Sequence, residues 1–156
     1  GPAKLLLAAG KTKKEGFIRH DRDDHLGAEV VHDLNVFPYP WEDASWDYIE
    51  ATDIMEHLKA DLPAVMDELW RILKPTGHLY IHTAEIGSWQ LNLDPTHVLG
   101  FSLDSFDYFD PKTKWGGYSE YDYTDKKWQV IHKTSDNSGG LIFLMKPRKE
   151  ATVPVG

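Results

Sequence analysis

The chain has 156 residues, a formal net charge of −8 and no cysteine. This length suits one domain with a substantial core but leaves little room for a separate substrate domain. The acidic balance disfavours a general phosphate-binding surface, and hence a nucleic-acid substrate. The absence of cysteine excludes disulfides, thiolate metal sites and a cysteine nucleophile.

We expect a single compact domain over residues 1–156. Gly1-Pro2 resembles the scar of a protease cleavage, and residues 149–156 are predicted to form a frayed tail. No apolar run approaches the roughly 18 residues that a membrane span needs. Together with the lack of cysteine, this favours a cytoplasmic protein with no membrane partner.

Apolar runs predict five strands in the first half of the chain. Residues 4–9 form a continuous apolar run that ends at Gly10, which is typical of a central parallel strand buried on both faces. The next two strands each end in an acid, Asp21 and Asp33. The five predicted strands span residues 4–9, 16–21, 28–33, 46–51 and 78–83.

Between the fourth and fifth strands, apolar residues recur at the spacing of one helical face. We expect Asp61 to cap this helix and Pro63 to lie in its first turn. Lys74-Pro75-Thr76-Gly77 should end it, with Gly77 supplying the turn into the fifth strand. The apolar positions are Leu62, Val65, Met66, Leu69, Ile72 and Leu73.

Other connections predict a reduced fold. The gap between the first two strands is too short for a crossover helix, so one face of the sheet should be poorly covered. Either a very short helical turn connects these strands, or the first strand lies at the truncated edge of a larger unit. Ser102 can cap a short helix that runs through Phe109. Residues 127–132 and 141–145 flank a turn at 135–140, which is a hairpin pattern.

The sequence motifs resemble those of class I S-adenosylmethionine-dependent methyltransferases, in particular a small, compact subgroup. The matching stretches are "WDYIEATDIMEHL" and, at the expected separation, "LWRILKPTGHLYI". Thr76 stands where the family has the first glycine of L-K-P-G-G, and Ala8 stands where its first loop has a glycine. The resemblance implies an α/β, Rossmann-like, doubly wound fold. Its sheet would have seven mostly parallel strands and an antiparallel C-terminal hairpin strand.

The resemblance also implies a site for S-adenosylmethionine. Asp21 would accept hydrogen bonds from the ribose hydroxyls, because a carboxylate is a pure acceptor, and Asp33 would contact the adenine amino group. The methyl group of Ala8 would be tolerated if its φ is negative, although it narrows the approach. The implied cofactor-binding residues are Leu7, Ala8, Ala9, Gly10, Asp21, Arg22, Asp33, Leu34 and Thr52.

Three residues are candidates for the chemistry of methyl transfer to a small or medium acceptor. Asp53 and His57 are four apart and would share a face if they lay on one helical turn. His57 can accept a proton from the acceptor, although it can equally cap or pack the helix. His97 in "DPTH" is the third candidate.

Several alternatives stay open. Because of Ala8, the chain can also be a non-catalytic binding or assembly module, whereas a nicotinamide-dependent oxidoreductase would need a G-x-G-x-x-G motif that is missing. No HExxH-like spacing joins His20, Asp21, Asp24 and His25, or Asp94 and His97, so no specific metal site is predicted. Aromatic residues after the fifth strand can form an acceptor wall, an oligomer surface or ordinary core. They are Trp89, Phe101, Phe106, Tyr108, Phe109, Trp115, Tyr118, Tyr121 and Tyr123.

Overall fold

Seven strands form one sheet in the computed structural model, which describes residues 1–89, 91, 94–97, 99–118 and 124–150. The strands are β1 Lys4–Leu7, β2 Phe17–Asp21, β3 Val30–Val31, β4 Trp46–Thr52, β5 Leu73–Ala84, β6 Trp128–Ser135 and β7 Gly140–Pro147. Their order is β3-β2-β1-β4-β5-β7-β6. The first five pair in parallel, and β7 lies antiparallel between β5 and β6. The predicted fold class is therefore confirmed.

Helical segments connect the strands. The helix α1 spans Leu62–Ile72, and a short helix spans Lys114–Tyr118. Single 3₁₀ turns span Asp24–Leu26, Met55–His57 and Asp107–Phe109. Ser102 therefore does not cap a helix running through Phe109, since only the last three residues of that stretch are helical. No described helix is long and apolar enough to cross a membrane.

One face of the sheet packs against α1. The helix buries Val65, Met66, Leu69 and Ile72, which are at most 2% exposed, against the core that also holds Leu5, Leu7, Ile49, Leu79 and Ile81. Burial of apolar area on this scale is the main source of stability in such a fold. The predicted apolar stripe is therefore the contact surface of the helix.

The two ends of α1 differ in detail from the prediction. Asp61 occupies the capping position, but its side chain makes no capping hydrogen bond. Leu73 already has extended backbone angles and pairs with Trp46, so β5 begins before the predicted turn. Gly77 is required for a different reason than the expected one. A Cβ there would lie 2.9 Å from the Leu73 side chain and 3.0 Å from the Trp46 carbonyl oxygen.

The opposite face of the sheet has less cover, as predicted. Residues 8–16 and 22–29, which connect β1 to β2 and β2 to β3, contain no α-helix. Tyr48 and Tyr80, whose side chains lie on this face, are only half-buried, while their neighbours Ile49 and Ile81 are fully buried.

The buried Arg19 joins the two short connections where helices would otherwise lie. Its guanidinium donates to the carbonyl oxygen of Gly10 at 2.8 Å and to that of Thr12 at 2.9 Å. It also donates to the carbonyl oxygens of Leu26 at 3.3 Å and Gly27 at 3.4 Å. A guanidinium has five N–H donors, so one side chain can bind both loops.

The aromatic residues after β5 divide between core and surface. Phe101, Phe106 and Phe109 are at most 3% exposed and belong to the core, while Trp89 and Trp115 are more than half exposed. Tyr121 and Tyr123 lie outside the described residues, as do residues 151–156 of the predicted tail. An acceptor wall built from the three phenylalanines is therefore excluded.

We expect Arg19→Met to lower the free energy of unfolding by about 2–4 kcal/mol, because the carbonyl oxygens of two loops lose a charged donor while the apolar stem remains. Urea unfolding followed by circular dichroism measures this. Lys13→Met, at an exposed position in the first loop, is the matched control. Equal midpoints for Arg19→Met and the wild type would contradict this role of Arg19.

Candidate active site

Two cavities lie at the carboxyl ends of the parallel strands, and both are lined by Ala8. In open α/β sheets, ligands bind at this edge, next to the strands where the order reverses. Here the reversal falls between β1 and β4, which are neighbours in the sheet. The loop that follows β1 therefore has the position expected of a ligand-binding loop.

The loop after β1 has the backbone conformation of a glycine loop. Ala8 has a φ of 49° and Gly10 a φ of 55°, both in the left-handed region. The condition set out for Ala8, a negative φ, is therefore not met. A residue with a Cβ is strained in this left-handed conformation by on the order of 1–2 kcal/mol, and Ala8 lines both cavities.

His20 holds this loop in place from β2. The Ala8 N–H donates to its Nδ1 at 3.0 Å, so Nδ1 carries no proton. Its Nε2–H then donates to the His32 carbonyl oxygen at 2.7 Å. Burial lowers the pKa of His20, which agrees with a neutral ring that is fixed in one tautomer. His20 is therefore a structural residue of the site and not one of its titrating groups.

Asp21 binds the same loop through its carboxylate. It accepts from the Gly10 N–H at 2.8 Å and from the Asp23 N–H at 3.1 Å, one on each oxygen. Burial would raise the pKa of Asp21, but the hydrogen bonds from these backbone N–H groups outweigh it and the pKa is lowered. Each carboxylate oxygen keeps a second lone pair with which to accept from a ligand hydroxyl.

The first cavity, hereafter the Asp21 cavity, has a volume of about 170 Å³. Asp33 takes part in a turn, since its carboxylate accepts from the Asn35 N–H at 2.9 Å, and this hydrogen bond lowers its pKa. The predicted residues brought together here are Ala8, Asp21, Arg22, Asp33, Leu34 and His57.

The second cavity, hereafter the Glu50 cavity, has a volume of about 190 Å³. It brings together the predicted residues Leu7, Ala8, Ala9, Thr52 and Asp53. Gly10 lines neither cavity, and its N–H is taken by Asp21.

Glu50 was not predicted as a site residue, although an acid between Ile49 and Ala51 in the predicted strand was a visible signal. The side chain lies in the Glu50 cavity, where it pairs with Lys14 at 2.6 Å. Its second oxygen accepts from Thr52 Oγ1 at 3.3 Å. The floor of this cavity is therefore acidic, with one cation beside it.

Asp53 does not lie on one helical turn with His57, so the expectation that they share a helical face is wrong. Asp53 has a φ of 56° and precedes the 3₁₀ turn, which begins only at Met55. Its Oδ1 lies 2.6 Å from His82 Nδ1 instead, and Asp136 Oδ2 lies 2.8 Å from His82 Nε2. These hydrogen bonds, that of Asp53 first, outweigh the effect of burial and raise the pKa of His82 to about 9.

His57 and His97 lie together, with ring centroids 4.5 Å apart. Thr96 Oγ1 donates to Asp94 Oδ1 at 2.7 Å, because a carboxylate can only accept. The same Oγ1 lies 2.8 Å from His57 Nδ1, so this nitrogen is the donor. The lone pair of His57 is therefore on Nε2.

Glu56 was also not singled out from the sequence as a site residue, although it lies beside the candidate site. It is 1% exposed, and its Oε2 accepts from the Ala84 N–H at 2.7 Å and from Thr83 Oγ1 at 3.2 Å. These bonds fix the turn that carries His57 to the end of β5. The other oxygen, Oε1, has no hydrogen-bond partner among the described residues.

Comparison with known proteins agrees with this arrangement. Residues 10–81 match the sequence pattern of the family described as "Methyltransferase domain". No protein of curated function matches the chain.

Solved structures share the fold at low sequence identity. An S-adenosylmethionine-dependent methyltransferase from Archaeoglobus fulgidus has a TM-score of 0.60 at 14% identity, over 94% of this chain and 86% of that one. One from Mesorhizobium loti has a TM-score of 0.61 at 11% identity, over 94% and 91%. A complex from Haloferax volcanii that contains the Trm112 methyltransferase activator gives 0.66 at 13% identity, over 94% and 82%.

The fold and the family pattern together support a class I S-adenosylmethionine-dependent methyltransferase, with S-adenosylmethionine as its cofactor. The match to the methyltransferase domain family covers residues 10–81, a little under half of the chain. The predicted resemblance is confirmed.

We expect opposite effects from glycine at two neighbouring alanines. Ala8→Gly should keep or raise the free energy of unfolding by up to about 1 kcal/mol, because it removes left-handed strain. Ala9→Gly should lower the free energy of unfolding by about 1 kcal/mol, because Ala9 is buried and does not have a positive φ. Chemical denaturation of both variants measures this, and a loss at Ala8 equal to that at Ala9 would argue against strain.

The ion pairs of His82 predict a pH-dependent stability. Because folding raises the pKa of His82 from 6.5 to about 9, this contribution is complete below pH 6.5 and is lost as the pH rises to 9. Since Asp53 is 58% exposed, we expect on the order of 1–2 kcal/mol after solvent screening. Urea unfolding of the wild type and His82→Gln at pH 6 and pH 9.5 tests it.

The difference between the two proteins should be large at pH 6 and small at pH 9.5. His132→Gln, at an exposed position of β6, is the control and should show no such trend. A difference between wild type and His82→Gln that stays constant with pH would rule out the charged state of His82 as its cause.

Proposed function

We propose that the protein transfers a methyl group from S-adenosylmethionine to a small or medium acceptor. The observation that carries the proposal is the pair of cavities that meet at Ala8, at the carboxyl ends of the strands. Carboxylates line both cavities. Asp21 and Asp33 line the Asp21 cavity, and Glu50 and Asp53 line the Glu50 cavity.

The chemistry of these residues fits the cofactor. In the Asp21 cavity, the free lone pairs of Asp21 suit a ribose diol, and Asp33 with Leu34 suits the amino edge and the face of adenine. In the Glu50 cavity, the carboxylate of Glu50 suits an ammonium group, and Lys14 beside it suits a carboxylate. A cofactor placed across Ala8 would have its nucleoside in the first cavity and its amino-acid part in the second.

The bound cofactor supplies an electrophilic methyl group on a sulfonium, so that the protein mainly has to align the acceptor. His57 lines the Asp21 cavity and carries a lone pair on Nε2, so it can take the proton that an acceptor O–H or N–H loses. His97 would orient the acceptor beside it. The carboxylate of Asp53 is engaged by His82, which leaves it a positioning role.

A small-molecule acceptor suits this surface better than a nucleic acid. The net charge of −8 would repel a phosphate backbone. The side chains of Trp89 and Trp115 are more than half exposed and could pack on an apolar acceptor or on a second copy of the chain.

One observation favours a second candidate function, a non-catalytic binding module. Ala8 lines both cavities where the family has a glycine, so its methyl group would reduce the space for a ligand that spans them. If that methyl group prevents binding, the fold would be retained without the activity.

Calorimetric titration with S-adenosylmethionine, S-adenosylhomocysteine and NAD separates the functions. The proposal predicts micromolar binding of the first two ligands and none of NAD. Asp21→Asn should weaken the binding of S-adenosylhomocysteine by about 1–3 kcal/mol, roughly 5- to 150-fold, because one ribose acceptor becomes a donor. Asp24→Asn, at an exposed position nearby, is the control.

Silence with all three ligands in the wild type would reject the enzyme in favour of the module. In that case the same titration is repeated with Ala8→Gly. If the methyl group of Ala8 prevents binding in the wild type, the variant should bind S-adenosylmethionine. An unchanged affinity in Asp21→Asn would remove Asp21 from the site.

A further inference from the structure

Three side chains next to the Asp21 cavity form a group with the composition of a metal site. One ligand atom from each of His57, Asp94 and His97 lies within 4.8 Å of the other two. Bonds of about 2.0–2.2 Å to a tetrahedral cation place neighbouring ligand atoms roughly 3.3–3.6 Å apart. His97 Nε2 and Asp94 Oδ2 are 3.7 Å apart, which is too far for a hydrogen bond and close to that spacing.

The hydrogen bonds around the group leave both imidazoles in the form that binds a metal. His57 donates its Nδ1–H to Thr96 Oγ1, as shown above. His97 Nδ1 lies 3.2 Å from the carbonyl oxygen of Leu91, which can only accept, so this nitrogen also carries the proton. Both Nε2 atoms therefore have a free lone pair. Metal-binding histidines usually have their other N–H fixed by such an acceptor.

We propose that His57, Asp94 and His97 bind one divalent transition-metal ion, of which Zn²⁺ is the best match. Two imidazole nitrogens and one carboxylate oxygen suit Zn²⁺, Co²⁺ or Ni²⁺ and do not suit Mg²⁺ or Ca²⁺, which prefer oxygen ligands throughout. Three protein ligands leave a fourth position open, as in catalytic zinc sites. The sequence had no spacing that indicated this site, because His57 is far from the other two along the chain.

The place of the group relates the metal to the reaction. His57 also lines the Asp21 cavity, so the cation would lie beside the proposed cofactor site. Its open position would take an oxygen or nitrogen of the acceptor, and His57 would then be a ligand in place of a base. Only this last consequence rests on the proposed function, since metal binding itself requires no cofactor.

Titration of chelator-treated, tag-free protein with Zn²⁺ in a calorimeter, and with Co²⁺ by visible absorption, tests the site. We expect one ion per chain and a Co²⁺ spectrum of four-coordinate type. His97→Ala and Asp94→Asn should each weaken binding by roughly 10- to 100-fold or more. His25→Ala is the control, because this exposed histidine offers a metal ligand elsewhere and should leave the affinity unchanged.

A pair of variants at Thr96, whose hydroxyl contacts both His57 and Asp94, tests the orientation of these two ligands without removing either. Thr96→Val keeps the shape of the side chain but not the acceptor for Nδ1–H, and it should weaken Zn²⁺ binding about 10-fold. Thr96→Ser keeps the hydroxyl and should bind like the wild type. Circular dichroism confirms that each variant is folded before it is titrated.

Two results would overturn the proposal: wild-type protein that binds Zn²⁺ no more tightly than His97→Ala, or His25→Ala that loses as much affinity as His97→Ala. The outcome is independent of the proposed function. S-adenosylhomocysteine is titrated into the same metal-free protein. Cofactor binding can therefore be measured even if no metal binds, and metal binding can be measured even if no cofactor binds.

Discussion

The buried guanidinium of Arg19 is the constraint on which the ligand-binding edge depends. It binds carbonyl oxygens of Gly10 and Thr12 after β1 and of Leu26 and Gly27 after β2. In a larger fold of this type, crossover helices would set the positions of these loops by packing. Here a single charged side chain does so with hydrogen bonds. Because both loops are tied to β2, Asp21 at its end meets the N–H of Gly10 at 2.8 Å.

A second consequence of this small fold is that polar side chains take over much of the positioning at the edge of the sheet. His20 holds Ala8, Glu56 holds the turn that carries His57, and His82 holds Asp53. Each of these groups lies on or next to a strand and reaches a neighbouring loop. Buried polar groups of this kind must be matched by partners, which favours one arrangement of the loops over others. The edge is therefore defined without a full second layer of helices.

Much of the fold, and many of the residues that line the two cavities, could be predicted from the sequence. Apolar runs located the strands, and the stripe from Leu62 to Leu73 located α1. Asp21 ends β2, Asp33 follows β3 by two residues, and both acids line the Asp21 cavity. These predictions succeed because strand and helix periodicity are local properties of the chain. The predicted face shared by Asp53 and His57 was wrong because Asp53 has a positive φ, precedes the 3₁₀ turn and contacts His82. No local pattern reports that angle.

The sequence by itself determined the order of the elements, the buried face of α1 and the acids at the strand ends, because hydrophobic spacing and chain direction specify them. Only the tertiary structure decided how those ends meet. It showed that Ala8 keeps the left-handed backbone of a glycine and lines both cavities. It also brought His57 to His97, 40 positions further along the chain, at a centroid distance of 4.5 Å. These two histidines follow β4 and β5, which pair in parallel in the sheet. They can therefore act together only once the sheet has formed.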